Sequence, residues 1–328
     1  MNTWTGSNYL WNIGIGQTAD HGPHKVKSPF DYFAEAERVW DKNTYSNLKP
    51  GDILWLNCQL VYHFNREILP NLKVPVVLVI LDGDNTFPSD CAVSQEGVHF
   101  DTFFPDMFLS NENIIHVFAQ NCDYEGINKH KVTKIPIGFD FHTVAYRNGG
   151  WQDPQMNPVD QERLVSTIRN ESPAIERRSR NAWADFQHSD TTHGGFRRFE
   201  QFGEDRRAIF EKLIATGAVN HGPFMKRSDL WRMKANHAFT ISPHGNGLDC
   251  HRTWEDLTLG CIVIVKTSPL DELYSDLPVV IVDNWDVVNR DNLDIWLDTH
   301  IHNKHYNLDK LSNSYWIHKI KEKARPYK

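Results

Sequence analysis

The chain has 328 residues, of which 40% are hydrophobic, 12% aromatic and 23% charged. This composition is typical of a globular protein of one or two domains, and it excludes a disordered, collagen-like or coiled-coil chain. With 35 basic and 42 acidic side chains the formal net charge is −7, so no nucleic-acid partner is expected.

The five cysteines are odd in number, and no two of them form a CxxC pair. They predict reduced thiols, and neither a disulfide framework nor a cysteine-based zinc site. Residues 1–22 have no apolar signal-peptide core, and nowhere does an apolar run reach the roughly 18 residues that span a bilayer. We therefore expect a soluble, cytoplasmic protein without stable membrane insertion.

In the first half of the chain, short β-branched apolar runs alternate with helical stretches. Unbroken apolar runs indicate strands buried on both faces, as in a parallel sheet. The predicted strands are 52–57, 76–82, 114–119 and 132–137, and the predicted crossover helices are 60–72 and 100–109.

Glycines and prolines interrupt a polar stretch from 147 to 180, which contains one helical piece at 161–169. The alternation then restarts. Predicted strands are 182–186, 238–242, 261–265 and 279–282, and predicted helices are 199–216, 228–236 with Ser228 as its N-cap, and 250–259 ending at Gly260.

These elements predict an α/β fold of two Rossmann-like domains with parallel sheets. Residues 1–150 are predicted to form the N-terminal domain, 151–180 a linker, and 181–305 the C-terminal domain. Residues 306–328 form a last helix that packs back on the N-terminal domain. Ligands of such sheets bind at the carboxyl ends of the strands, so a cleft between the domains is the expected site.

The loop Ser242-Pro-His-Gly-Asn-Gly-Leu-Asp249 joins a predicted strand to a helix. Its glycines allow a close ligand approach, and the helix behind it directs N–H groups towards the loop, which suits an anion such as a diphosphate. Arg252 and Glu255 share a helix face and suit a phosphate and ribose hydroxyls. The alternative is a plain turn with Asp249 as N-cap and an Arg252–Glu255 ion pair.

Residues 239–265 contain a strand, a Ser-Pro-His-Gly loop, Arg252, a Trp-Glu pair and a Gly-Cys-Ile-Val strand. This segment resembles the nucleotide-sugar motif of exostosin-like glycosyltransferases. The segment 277–280 is similar to the same family, and residues 75–84 and 135–140 match it more loosely. The resemblance implies the GT-B architecture, in which two Rossmann-like domains face each other across a cleft and the second holds most of the donor.

The resemblance also implies roles for single residues. Arg252 would neutralise the diphosphate and Glu255 would hold the ribose. Val263 lies where a second glutamate follows in many retaining GT-B enzymes, which favours inversion. The remaining expected donor-binding residues are Ser242, His244, Gly245, Asn246, Gly247 and Asp249.

An inverting transfer needs a base for the acceptor hydroxyl. Asp82 and Asp84 follow the strongest predicted strand and are the expected catalytic residues, with His63 and His142 as further candidates. Asp82-Gly-Asp84 also resembles the DxD motif that holds Mn²⁺ or Mg²⁺ in GT-A enzymes, and a cap of the next turn is the third interpretation. No metal is expected under the GT-B interpretation.

Seventeen histidines raise the question of a metal site. The densest group is His300, His302 and His305, whose spacing fits neither one helix face nor a standard zinc site, so a solvated surface is expected. Arg197 could assist a phosphate from its place after two glycines.

The sequence therefore predicts a glycosyltransferase that moves a sugar from a nucleotide-diphosphate donor, with a UDP-sugar favoured, to a hydroxyl of a glycan acceptor. It would be inverting and metal-independent. The alternatives are a fucosyltransferase-like enzyme that uses GDP-fucose, and a non-catalytic protein that binds nucleotides or carbohydrates on the same fold.

Overall fold

Parallel strands form two sheets in the part of the chain that the computed structural model describes, residues 7–22, 40–92, 102–146, 153–188, 204–303 and 305–328. The sheet orders are β1-β2-β3-β4 and β6-β5-β7-β8-β9. All described ladders are parallel, which confirms the predicted α/β fold with two parallel sheets. The strands are β1 (Asp52–Leu56), β2 (Val76–Ile80), β3 (Ile114–Ala119), β4 (Val132–Lys134), β5 (Ser179–Trp183), β6 (Val219–Asn220), β7 (His237–Ile241), β8 (Ile262–Lys266) and β9 (Val279–Val282).

Helices connect the strands, and none among the described residues is long and apolar enough to cross a membrane. The α-helices are α1 (Asn12–Gly16), α2 (Leu60–Glu67), α3 (Pro105–Ser110), α4 (Phe141–Tyr146), α5 (Pro158–Glu171), α6 (Arg206–Ala215), α7 (Arg227–Ala235), α8 (His251–Thr258), α9 (Asp271–Tyr274), α10 (Arg290–His302) and α11 (Asn313–Ala324).

Contacts divide the chain into two units, Met1–Ile137 with Ser312–Lys328, and Gly138–Leu311. The division falls before the predicted boundary at 150, and helix α5 occupies the middle of the predicted linker. This helix is anchored in the second unit, because the Gln161 side chain donates to the Phe141 carbonyl at 2.8 Å.

The core of the first unit is a sheet whose strands β1 and β2 are buried along their whole length. Such burial is what their unbroken apolar runs predict. Helix α11 packs against β1, β2 and β3 and buries Trp316 and Ile320. The Asn313 side chain at its start accepts a hydrogen bond from the Trp11 backbone N–H at 2.8 Å.

Two expectations for the second unit are wrong in detail. Ser228 does not cap α7, because its backbone N–H and its hydroxyl both donate to the Asp153 carboxylate, at 3.0 and 2.7 Å. Strand β5 begins at Ser179 and not at 182. The prediction missed the start of the strand because its first residues are polar and exposed, and only its second half reaches the core. Ala184 and Phe186 are buried and Asp185 is partly exposed, but all three continue as a loop.

His116 is a buried histidine within β3 that should make the first unit acid-sensitive. Burial lowers its pKa to about 3, and its Nε2 lies 2.8 Å from the Thr133 hydroxyl. Because the folded pKa is below that of the unfolded chain, only the unfolded chain takes up this proton as the pH falls below about 6.5. We expect this histidine to reduce the free energy of unfolding by up to about 1.4 kcal/mol per pH unit below that point.

Urea denaturation at pH 7 and pH 5 measures this effect. His116→Gln keeps a hydrogen-bonding group but cannot charge, so the variant should lose less stability between the two pH values than the unmodified protein. An equal loss in both proteins would show that His116 does not carry the acid sensitivity.

Candidate donor site in the second unit

The strand order of the second sheet reverses between β5 and β7. From β5 the chain first adds β6 on one side, and then β7, β8 and β9 on the other. Such a reversal leaves a crevice at the carboxyl ends of the two central strands, where α/β proteins bind ligands. Asp185 follows β5 and Ser242 follows β7, so the structure places both residues at this end of the sheet.

The predicted donor loop is a turn held by hydrogen bonds within the protein. The His244 backbone N–H donates to the Glu204 carboxylate at 3.0 Å, and its ring Nδ1 lies 2.9 Å from the Leu248 carbonyl. The hydroxyls of Ser242 and Thr253 are 2.9 Å apart, which ties the loop to α8. The structure thus brings together five predicted residues, namely Ser242, His244, Gly245, Asn246 and Gly247.

Asp249 anchors this loop from inside. It is 3% exposed, and one carboxylate oxygen accepts from the Trp254 indole at 2.7 Å. The other oxygen accepts from the Cys250 backbone N–H at 2.8 Å and the Tyr274 hydroxyl at 3.1 Å. The carboxylate therefore fixes the entry into α8, so we do not propose it as a donor contact, although the sequence placed it among the donor-binding residues.

Gly245 lies where a side chain has no room. A Cβ atom there would come within 2.8 Å of the Cys250 Sγ, whereas the next contact, at 3.7 Å, is ordinary. We expect Gly245→Ala to lower the free energy of unfolding by about 1–3 kcal/mol, the usual cost of overpacking. Since one sulfur atom causes the clash, Cys250→Ala in the same chain should restore most of this loss.

Urea denaturation of the two single variants and the double variant tests this prediction as a double-mutant cycle. Cys250→Ala alone is the control for the lost thiol. If Gly245→Ala costs the same with and without Cys250, the steric explanation is wrong.

Arg252 lies at the carboxyl end of the sheet, in the first turn of α8. Its Nε is 3.1 Å from an Asp185 oxygen, and one of its terminal nitrogens donates to the Ser242 hydroxyl at 3.5 Å. The side chain is 17% exposed. Asp185 therefore holds a largely buried guanidinium beside the loop, which is the placement that a diphosphate ligand needs.

Lys234 and Asp256 extend this ion pair into the core. The Lys234 ammonium lies 2.7 Å from Asp185 and 3.0 Å from Asp256, and its side chain is 1% exposed. Burial alone would raise the pKa of Asp185, but Lys234 and Arg252 hold it below its usual range. No sequence signal marks Lys234, whereas Asp185 is the only charged residue of the predicted strand 182–186, which is a usable signal.

Glu255 differs from its predicted role. One of its oxygens accepts from the Arg227 guanidinium and, at 3.3 Å, from the Asp140 backbone N–H, and the other accepts from the Trp231 indole at 3.2 Å. Its side chain is 4% exposed. The carboxylate is thus engaged in a buried network, and its partner is Arg227 and not Arg252. Ribose binding by Glu255 stays a prediction that would require this network to open.

A cavity of about 590 Å³ opens at the carboxyl ends of β5 and β6. The rings of His188 and Phe210 are stacked with centroids 4.0 Å apart, and His221 meets Phe210 edge-on at 5.2 Å. Asp185 lines the cavity and also contacts Arg252, so the aromatic cavity and the cationic group share one residue. Other aromatic lining residues are Trp183, Phe186 and Phe224.

The predicted catalytic pair lies in the first unit, directly after β2 and the buried Leu81. Asp82 is 8% exposed and has a positive φ of 67°, whereas Asp84 is exposed. The Asp82 carbonyl accepts from the Asn57 amide, and the Gly83 carbonyl accepts from the Gln120 amide at 2.6 Å. These two amide side chains hold the backbone of the turn, and the catalytic role of the two carboxylates stays a prediction.

The histidine group near the C-terminus does not form a metal site in the described residues. His300 stacks on Tyr306, and burial lowers its pKa to about 4, while His302 is exposed on α10. His300 is therefore a packed side chain and not a solvated one. Arg197 lies outside the described residues.

The comparisons with known proteins find similarity to this chain at the level of the fold only. No protein-family profile matches the chain, and no curated protein matches its sequence. An E. coli structure described as trehalose-6-phosphate bound with UDP-2-fluoro glucose is similar with 11% identity and a TM-score of 0.35, over 85% of this chain and 72% of that one.

Two further solved structures are similar at the same level. The pneumococcal O-GlcNAc transferase GtfA in complex with UDP and GlcNAc has 9% identity and a TM-score of 0.36, over 85% of this chain and 57% of its own. Sucrose-phosphate synthase from Thermosynechococcus elongatus has 9% identity and a TM-score of 0.36, over 84% and 69%. At such identities and TM-scores, neither a ligand nor an activity transfers to this chain.

Proposed function

We propose that this protein is a glycosyltransferase whose second unit binds a nucleotide-diphosphate sugar, with a UDP-sugar favoured by the exostosin-like motif. The observation that carries the proposal is the shared position of Asp185, which lines the aromatic cavity and pairs with Arg252 at 3.1 Å. A nucleotide has a flat ring at one end and an anionic diphosphate at the other, and these two features match that pair of surfaces.

The nucleobase stacks in the cavity, because aromatic rings bind flat bases at about 1–3 kcal/mol each. The Arg252 guanidinium binds the diphosphate, and the turn at 242–247 with the N–H groups of α8 approaches the same anion. This arrangement uses a cation and a helix N-terminus where other transferases use a metal ion, so we propose metal-independent donor binding.

In the transfer step, the acceptor hydroxyl loses its proton to a carboxylate and its oxygen attacks the anomeric carbon. The bond from that carbon to the diphosphate breaks, and the leaving diphosphate keeps the electron pair, so the configuration inverts. We propose Asp84 or Asp82 as the proton acceptor and a glycan as the acceptor substrate. Arg252 stabilises the leaving diphosphate as its charge develops.

The test is the release of nucleoside diphosphate from a panel of UDP-sugars and GDP-sugars in EDTA, together with calorimetric binding of each nucleotide. Phe210→Ala removes the central ring of the cavity and should weaken UDP binding by about 5–150-fold, the equivalent of one lost stacking contact. The matched control is Ile295→Ala, an exposed apolar side chain on α10.

The outcomes separate the alternatives. UDP release supports the proposal, and release from GDP-fucose alone would favour the fucosyltransferase-like enzyme. Binding without release in the presence of glycan acceptors would favour a non-catalytic nucleotide-binding protein. The absence of both binding and release would overturn the proposed function.

A further inference from the structure

Three side chains with metal-binding groups meet in the second unit, and none of them belongs to the histidine group 300–305 in which the sequence raised the question of a metal. Asp140 directly precedes α4, His142 lies in its first turn, and His251 begins α8. One ligand atom from each lies within 4.8 Å of the others, and this is the only such group of histidine, cysteine or carboxylate side chains found among the described residues. The resulting set has two imidazoles and one carboxylate.

The ring of His251 has a defined orientation. Its Nδ1 lies 2.7 Å from the Gly138 carbonyl. A carbonyl oxygen only accepts hydrogen bonds, so Nδ1 carries the proton and the neutral ring keeps its lone pair on Nε2. A backbone carbonyl that fixes the tautomer in this way is the usual outer contact of a metal-binding histidine.

Asp140 supplies a negative charge with a second fixed partner. Its Oδ2 lies 3.3 Å from Arg227, and its Oδ1 accepts from the Thr143 backbone N–H at 3.0 Å and lies 3.0 Å from the His142 Nδ1. Glu255 balances the charge of Arg227. With neutral imidazoles, the Asp140 carboxylate therefore leaves one negative charge for a cation.

The spacing suits a small divalent ion after a modest closure. Ligand atoms at about 2.1 Å from one ion lie about 3.0–3.5 Å apart for bond angles between 90° and 109°. The Asp140–His142 distance of 3.0 Å already falls in this range. The remaining ligand atoms lie within 4.8 Å of one another, so side-chain rotation has to bring them together by less than about 2 Å. Both His142 and His251 are partly exposed, which leaves a route for the ion.

We propose that Asp140, His142 and His251 form a binding site for one divalent transition-metal ion of the zinc type. Imidazole ligands favour Zn²⁺, Co²⁺ or Ni²⁺ over Mg²⁺ and Ca²⁺. Three protein ligands leave at least one position for water or a substrate oxygen, the arrangement of catalytic zinc sites. The site is separate from the contacts of Arg252, so it does not depend on the proposed donor binding.

The experiment is a calorimetric titration of the full chain with ZnCl₂ at pH 7.5 in a buffer that does not bind metal, repeated with CoCl₂ and MgCl₂. We expect one Zn²⁺ per chain, visible absorption bands from bound Co²⁺, and no comparable binding of Mg²⁺. His251→Ala and His142→Ala should each weaken Zn²⁺ binding by at least about 10–100-fold, since changes in the outer contacts of such sites already cost that much.

His302→Ala is the matched control, because this histidine is exposed on α10 in the same unit. Asp140→Asn, which preserves shape, provides a second test if an alanine variant fails to fold as judged by circular dichroism. Absence of stoichiometric Zn²⁺ binding, or a loss in His302→Ala but not in His251→Ala, would overturn the proposal. The titration contains no nucleotide, so its failure would leave the proposed donor site unaffected.

Discussion

Replacing Lys234 by methionine is expected to lower the free energy of unfolding by about 3–5 kcal/mol at pH 8, the usual cost of removing one partner from a buried ion pair. The ammonium lies between Asp185 and Asp256, and the Asp256 side chain is fully buried. Methionine has a similar length but no charge, so two carboxylates lose their shared cation. Denaturation by guanidinium chloride measures the loss.

The loss should depend on pH in a defined direction. Burial raises the pKa of Asp256 to about 6 even though Lys234 opposes the shift. Because the folded pKa lies above that of the unfolded chain, the folded protein takes up this proton first as the pH falls. Without Lys234 the pKa rises further, so at pH 5.5 Asp256 is neutral and Lys234→Met should cost less than at pH 8.

Two further variants make this prediction specific. Lys212→Met removes an exposed partner of Asp286 and should change stability by less than about 1 kcal/mol. Lys234→Met combined with Asp256→Leu should be more stable than Lys234→Met alone, since it removes one of the unpaired charges. A Lys234→Met chain that unfolds at the same denaturant concentration as the unmodified protein would contradict the described network.

Replacing Arg252 by alanine is expected to weaken UDP binding by about 10–150-fold, equivalent to the 1.5–3 kcal/mol of a hydrogen bond to a charged group. Arg252→Lys keeps the charge but loses the planar pair of donors, so its affinity for UDP should lie between those of the unmodified protein and Arg252→Ala. Uridine, which lacks the diphosphate, should bind the unmodified and variant proteins alike. Calorimetry with UDP and uridine measures both effects.

The matched control is Arg180→Ala, because this arginine is 57% exposed and pairs with Asp294 in the same unit. It should leave UDP binding unchanged, which would exclude a general effect of net charge. Equal losses for uridine and UDP in Arg252→Ala would contradict a diphosphate contact and indicate that the variant disturbs the cavity.

The sequence predicts the fold well where strands are continuous and apolar. The runs at 114–119 and 279–282 coincide with β3 and β9 to the residue. The sequence does not predict β6, which has only two residues. It also does not predict helix α10, because the first turn of that helix is polar and shows no apolar periodicity. The polar start of β5 moves that strand away from its prediction for the same reason, since polarity on an exposed strand end removes the hydrophobic signal.

The candidate site is predictable only where its residues are neighbours in the sequence. The turn at 242–247 and Arg252 belong to one strand–loop–helix segment, so spacing reveals them. Asp185 follows β5, whereas Arg227 and Lys234 both lie on α7, and only the folded chain brings these residues to α8. The partner of Glu255 was therefore unpredictable from helix spacing, which pairs it with Arg252.

The most direct test of the donor site is photo-crosslinking with 5-azido-UDP, which carries its reactive group on the base, followed by mass spectrometry of the labelled peptides. The account predicts label on peptides that contain Trp183–His188, Phe210 or His221, and loss of the label when excess UDP competes. Label that maps instead to the peptide with Asp82 and Asp84, and that UDP displaces, would contradict a donor site in the second unit.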